Sequence, residues 1–425
     1  MGSGAASELR DYLAPPANRA TRNFLPILYK PEMMKEVWKF LHKPRYVDLD
    51  KRDGEGREAV TFAMQKGKVE VVALLLHLSA QAMPGGNTAL HLACQKGYRG
   101  VAELLLDQGA VVGQATKDGY TALMSACLGG HRDVAELLLD RGADVGQARQ
   151  DGGTALLGAC HFGHRDVAEL LLDRGADVGA VAVVIAAYDA TDGQAKQDGM
   201  TALMWACLTG HRDVAELLLG RGADVGQARQ DGWTALMSAC YGGHRDVAEL
   251  LLDRGADVGQ AQQDGWTALM KAGYRGHRDV VELLLDRCAD VGQASQNGGT
   301  ALMAACYGGH RDVVELLLDR GADVGQANAN GLTALMSACL IGHRDVTELL
   351  LDRGADVGQA RQDGGTALMK ACHGGHRDVA ELLLDRGADV RQIDRNRCTA
   401  LTAARTKGHA DVIELLLSRD ADVYQ

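Results

Sequence analysis

The phrase TALMSACLGGHRDVAELLLDRGADVGQ, which begins at Thr121, returns at Thr234 with a single change, and close variants start at Thr88, Thr154, Thr201, Thr267, Thr300, Thr333, Thr366 and Thr399. Successive starts are 33 residues apart everywhere except between Thr154 and Thr201, which are 47 apart. A fixed period in this range marks an array in which each unit packs only on its neighbours, so the 425 residues are not read as a few globular domains of ordinary size.

One unit shows what the period encodes. In the Thr121 copy, Asp118 and Gly119 form a turn signal ahead of Thr121, which is placed to cap a short helix over ALMSACL that stops at Gly129-Gly130. A second helix is expected from near Asp133, with Glu136 three residues on completing a capping box. Val134, Leu137, Leu138 and Leu139 give that helix a broad apolar face, and Gly142 suits a left-handed C-terminal cap. The remaining ADVGQARQDG reads as a polar connection. Helices this short do not persist alone in water, so each pair must lean on the pairs beside it.

Several function classes fall away on composition and spacing. The chain is 46% hydrophobic and 24% charged with a net charge of -11, and no run of 18 apolar residues would span a bilayer. The N-terminus lacks the apolar core of a secretory signal, and Ala6 stands where myristoylation wants Ser or Thr; a cytoplasmic or nuclear location is expected. Eight of the ten cysteines (Cys94, Cys127, Cys160, Cys207, Cys240, Cys306, Cys339 and Cys372) share one repeat position. Stacked helices lie about 8–10 Å apart, beyond disulfide reach, so these are read as buried, reduced thiols. No CxxC pair occurs, and no metal or cofactor is expected.

The tripeptide HRD, as at His131–Asp133, recurs without a nucleotide loop and is read as structural. The histidines His131 through His376 fall one per unit and suit turn hydrogen bonding rather than catalysis. The carboxylates of DRGAD read as a solvated acidic ladder. Fewer than 60 residues lie outside the repeats, too few for a typical catalytic domain, so no enzymatic activity is expected. Nucleic acid is not expected as a partner either, because the chain is acidic and Arg149, Arg229 and Arg361 form no basic stripe.

The 33-residue helix-turn-helix unit, its TPLHxA-like start, central GH, leucine-rich second helix and GADV resemble the ankyrin repeat. The start reads TALM in most copies and TALH only at Thr88–His91; the family's Pro becomes Ala, its His becomes Met, and the Asn after ADV becomes Gly, as at Gly146 and Gly226. Losing that His puts its hydrogen bonds in doubt, and losing that Asn removes the position most often hydroxylated. The resemblance implies an all-α fold, an ankyrin-repeat solenoid of stacked helix-turn-helix units with β-turn or hairpin fingers. Residues 1–30 are read as an N-terminal segment, partly disordered, and 31–57 as a helical half-repeat or cap with Val37, Trp38, Phe40 and Leu41 on its apolar side. Residues 58–425 form the array of about 11 repeats, with a more polar last copy (Thr402, Arg405) suited to a capped end near Gln425.

The extra fourteen residues, 180–193, interrupt one connection. They are read either as a β-prone extension into a partner-binding hairpin or as a tolerated loop insertion or gene-model error. Elsewhere the second helix hardly changes, while a few columns vary freely. The resemblance implies that these line the concave side, on the fingers and inner helices, where the family grips protein partners; packing between neighbouring repeats is the competing reading. Candidate partner-binding residues are Tyr120, Phe162, Lys196, Trp205, Arg229, Trp233, Tyr241, Trp266, Tyr274 and Tyr307, with Trp205, Trp233 and Trp266 as anchors and Arg229 and Lys196 steering charge. The expected function is a scaffold or adaptor that binds a protein or extended peptide. A self-associating array without a dedicated ligand is the alternative.

Overall fold

The computed structural model describes Val69, residues 88–183 and residues 199–421. The proposed cap at 31–57, residues 1–30, Lys196 and most of the 180–193 insertion lie outside the described residues. Twenty helices and one two-stranded sheet occur among the described residues. They are α1 Ala89–Gln95, α2 Arg99–Asp107, α3 Ala122–Leu128, α4 Arg132–Asp140, α5 Ala155–His161, α6 Arg165–Asp173, β1 Val181–Val183, β2 Gly199–Thr201, α7 Ala202–Leu208, α8 Arg212–Gly220, α9 Ala235–Gly242, α10 Arg245–Asp253, α11 Ala268–Arg275, α12 Arg278–Asp286, α13 Ala301–Gly308, α14 Arg311–Asp319, α15 Ala334–Ile341, α16 Arg344–Asp352, α17 Ala367–Gly374, α18 Arg377–Asp385, α19 Ala400–Lys407 and α20 Ala410–Ala421. Odd-numbered helices are the inner member of each pair and even-numbered helices the outer one. The described residues divide into two compact units, the first comprising those up to Ala202 with Leu217–Ala223 and the second Leu203–Glu216 with those from Asp224 onward.

Local chemistry sets each pair. The repeated threonine is extended and its hydroxyl accepts the backbone N–H three residues on, as Thr234 does from Met237 and Thr300 from Met303. This satisfies one of the orphan donors of the inner helix. The outer helix starts differently from the sequence expectation. It begins at Arg132, its N-cap is His131 with no side-chain cap bond, and Asp133 accepts from the adjacent Val134 N–H at 2.9 Å instead of closing a capping box with Glu136. Asp133 already lies in the first turn, where its charge still complements the exposed N–H groups.

The core runs through every pair. In α9 and α10, Leu236, Met237, Cys240, Val247 and Leu251 are buried, and the equivalents are buried in each following pair through α17 and α18, whereas in α19 Leu401 is half-buried and Thr402 and Arg405 are exposed. Burying one such leucine contributes about 1.5–3 kcal/mol, which offsets the poor intrinsic stability of seven- to nine-residue helices. In the first unit, β1 pairs antiparallel with β2 in the register Val181↔Thr201, Ala182↔Met200 and Val183↔Gly199. Five other fingers close with one isolated bridge each, such as Ala228↔Thr234. Residues 181–183 of the insertion therefore pair with the strand that leads into the Thr201 repeat, as their β-prone character favours.

Candidate functional site

Three sets of ties hold the repeats in register, and they place the variable side chains. The first is a histidine latch. His131, His164, His244, His277, His310, His343, His376 and His409 each direct Nε2 at the carbonyl 36 residues earlier, at 3.0–3.2 Å. A carbonyl only accepts, so Nε2 donates, and the histidines act as turn hydrogen-bonders between repeats. The glycines before each histidine make room. At Gly308 an added Cβ would sit 2.5 Å from the Tyr274 carbonyl and 2.6 Å from the His310 ring.

The second set joins the fingers of the second unit. Gln263 N–H donates to Asp231 O at 2.8 Å, Gln296 N–H to Asp264 O at 2.9 Å, and Ala329 N–H to Asn297 O at 2.8 Å. Side chains run in parallel: the amide of Gln263 donates to Gln230 O at 2.6 Å, that of Gln362 to Ala329 O at 2.7 Å, and that of Gln296 to Gln263 O. These glutamines read in the sequence as mere connection. Their recurrence two residues after the alanine of QA was the available signal.

The third set corrects the acidic ladder. Arg287 pairs with Asp253 at 2.9 Å and Glu249 at 3.5 Å, and Arg353 with Asp319 at 2.7 Å and Glu315 at 3.5 Å. The carboxylates of DRG are thus answered by the arginine of the next repeat. At such exposure each pair contributes roughly 0.2–1 kcal/mol.

The lost family histidine can be compared directly within the chain. His91 bonds the Thr88 hydroxyl at 2.8 Å and reaches Tyr120 O at 3.0 Å. Burial holds its pKa below the ordinary imidazole value, against the pull of the Tyr120 carbonyl. Met237 and Met270 fill the same position as buried apolar side chains, and the backbone and glutamine bonds tie their fingers instead.

On this frame the second unit gathers one contiguous strip of rings and cations. Trp233 meets Tyr241 edge-on at 5.7 Å, Trp266 meets Tyr274 at 6.2 Å, and Tyr274 stacks on Tyr307 at 6.2 Å. Lys271 joins the two indoles, its ammonium 4.7 Å from the Trp233 ring and 4.8 Å from Trp266. Arg275 lies 4.7 Å over Tyr241, and Arg229 lies 5.8 Å from Trp233 while pairing with Asp231 at 3.1 Å. Such contacts contribute about 0.5–2 kcal/mol each and pre-orient the side chains.

The candidate residues therefore divide. Arg229, Trp233, Tyr241, Trp266, Tyr274 and Tyr307 belong to the strip. Trp233 is only 8% exposed and its indole donates to Ser238 at 2.7 Å, leaving little of the ring for a partner, whereas Tyr307 is 46% exposed. Trp205 is half-buried on α7. Tyr120 and Phe162 lie in the first unit: Tyr120 carries Arg149 at 4.0 Å over its ring, and Phe162 is 51% exposed beside His161. Lys271 and Arg275 lie in freely varying columns, Lys370 sharing that of Lys271, but were not among the candidate residues.

The eight aligned cysteines are buried and free, and burial pushes the thiols of Cys94, Cys160, Cys339 and Cys372 up to about 12. Among the described residues no group of three or more His, Cys, Asp or Glu is placed to hold a metal ion, and no helix is long and apolar enough to cross a membrane.

A family model described as "Ankyrin repeats (3 copies)" matches residues 30–116, 109–182, 180–262, 222–294, 255–328, 287–361 and 354–425. A search of curated proteins finds no match.

Proposed function

The chain belongs to the ankyrin repeat family, whose repeats generally serve protein–protein interaction, and from that premise we propose a non-enzymatic scaffold or adaptor that binds a protein or extended peptide across the inner helices and fingers of the second unit. The observation that carries the reading is the continuous strip from Trp233 to Tyr307, with rings held in place by neighbouring rings and cations. Rigid aromatic side chains give contact area at low entropic cost, and Trp, Tyr and Arg are enriched where binding energy concentrates. Trp266, Tyr274 and Tyr307 are the anchors in this reading. Tyr241 lies beside them, and Trp233 is linked to Trp266 through Lys271. Cytoplasm or nucleus is the proposed place of action.

Affinity capture from native extract, comparing the intact chain with W266A/Y274A/Y307A, tests this. Loss of one anchor is expected to cost about 2 kcal/mol of binding, so the triple variant should retain no partner. Identical capture sets, with the variant still folded by circular dichroism, would remove the strip from consideration.

Self-association is a second reading, favoured by the short sheet at the insertion, where Val181 on β1 is 49% exposed. A two-stranded sheet offers free edges to another chain. Light scattering across a concentration series, with and without residues 180–193, separates the two readings: a mass that grows with concentration and is abolished by the deletion supports the second.

A further inference from the structure

Charge is partitioned between the two layers of helices. None of the ten described inner helices contains an Asp or Glu, while every described outer helix carries at least two. All the lysines and arginines of the inner helices lie in the second unit: Lys271 and Arg275 on α11, Lys370 on α17, and Arg405 and Lys407 on α19. The outer-helix arginines are consumed locally, as Arg278 is by Glu282 at 3.8 Å and Arg344 by Glu348 at 3.5 Å. Arg275, Lys370, Arg405 and Lys407 form no ion pair among the described residues, although Asp363 lies close enough to Lys370 to feel its charge. His373, on α17, lies close enough to Lys370 and Lys407 to feel both charges.

The order along the stack is specific. α11, α13, α15 and α17 pack consecutively, so the cations of α11 and α17 are separated by α13 and α15. Those two helices present Tyr307, 46% exposed, and Ile341, 37% exposed. The pattern is cation, apolar, apolar, cation. At about 10 Å per stacked helix the two cationic ends lie about 30 Å apart, which an extended chain covers in about nine residues.

Resting on the reading of this strip as a protein-binding surface, we propose that its ligand is an extended acidic peptide segment, with two carboxylate clusters about nine residues apart and apolar side chains between them. One cluster meets Arg275 and Lys271, the other meets Lys370 with Arg405 and Lys407, and the apolar middle lies on Tyr307 and Ile341. The chain's overall net charge of -11 does not oppose this. Charges beyond about 8 Å are screened at physiological salt, so the ligand feels the inner face rather than the acidic outer layer. A single-stranded nucleic acid fits less well, because its evenly spaced phosphates would cross Tyr307 and Ile341 with no cation to meet them.

The probes are random 16-residue peptides displayed on phage and selected on the full chain, then resynthesised with a fluorophore for anisotropy. Selected peptides should carry acidic pairs at the stated spacing, weaken as salt rises, and lose affinity by up to about fivefold for each of R275Q and K370Q. A K370E variant should recover a peptide whose matching acid is changed to lysine; because this readout is a gain, it does not depend on an unchanged fold. Peptides that are neutral or basic, insensitive to R275Q and K370Q but lost on Y274A/Y307A, would overturn the acidic ligand while leaving the strip as the binding surface. Peptides indifferent to both sets of changes would overturn both. A single-stranded 12-nucleotide probe that binds more tightly than any selected peptide would also overturn the proposal.

Discussion

Changing His310 to alanine isolates the histidine latch. The ring donates to the Tyr274 carbonyl at 3.0 Å, and that carbonyl is among the last of α11, where no intrahelical donor is available. Losing one such bond costs about 1 kcal/mol net. The imidazole also fills the gap left by Gly276 and Gly308, so truncation opens a cavity worth about 1–2 kcal/mol more. Together the expected loss is about 2–3 kcal/mol. His131 makes the same bond to Gln95 O and packs against Gly97 and Gly129 in the same way, so His131→Ala is expected to cost about as much. Urea unfolding read by circular dichroism supplies the totals. Hydrogen exchange in α13 and α14 localises the effect, because a repeat array is a sum of neighbour terms and need not unfold in one step. A loss below about 0.5 kcal/mol for His310→Ala would refute this sum of bond and packing.

Other expectations follow from the same structure. Burial holds His91, His277 and His373 below their ordinary pKa, with Lys407 and Lys370 adding to the effect at His373, so the unfolded chain takes protons first. Stability should be full above about pH 6.5 and fall as pH drops toward 5; a melting temperature that is flat or rising over that window contradicts it. Gly276→Ala forces a Cβ into the His310 ring at φ 80°, whereas Gly321→Ala, at φ 92°, meets open space, so chemical denaturation should show the first to be worse by at least about 1 kcal/mol. Cys288 holds φ 66° where most copies have glycine, and Cys288→Gly should raise stability by about 0.5–1 kcal/mol in the same assay. A thiol reagent at pH 8 should label Cys288 and Cys398 quickly and the eight buried cysteines only on unfolding; fast labelling of Cys240 would show that the stack opens.

Local features were legible in the sequence because they are written within a few residues. Thr234 with Met237, the Gly that closes each inner helix, and the apolar spacing of Val247, Leu250 and Leu251 all act inside one repeat. Ties between repeats were harder to read. The target of His310 is a backbone carbonyl 36 residues away, and a carbonyl has no letter. The glutamines of the fingers looked like solvated connection because their partners are also backbone atoms. In the ladder Asp and Arg adjoin within one copy, so the actual pairing of Arg287 with Asp253 across copies was hidden. The site was partly visible: a variable column flags Trp233 and Trp266 alike, but only packing distinguishes the indole bonded beneath Ser238 from its neighbour. Lys271 and Arg275 gain meaning only from the rings they lie against.

The latch has a direction. The eight latch histidines belong to the later repeat and reach back 36 residues, and the ladder arginines reach back as well, as Arg320 does to Asp286. During translation a newly emerged repeat therefore lacks both clamps until its successor leaves the ribosome. At about 5–20 residues per second that wait is roughly 2–7 s, long for helices that cannot stand alone. Consolidation thus trails synthesis by one unit, and a ribosome stalled within the array always holds one unclamped repeat at its exit, where near-identical sequences from neighbouring nascent chains on the same message are at hand to dock in its place.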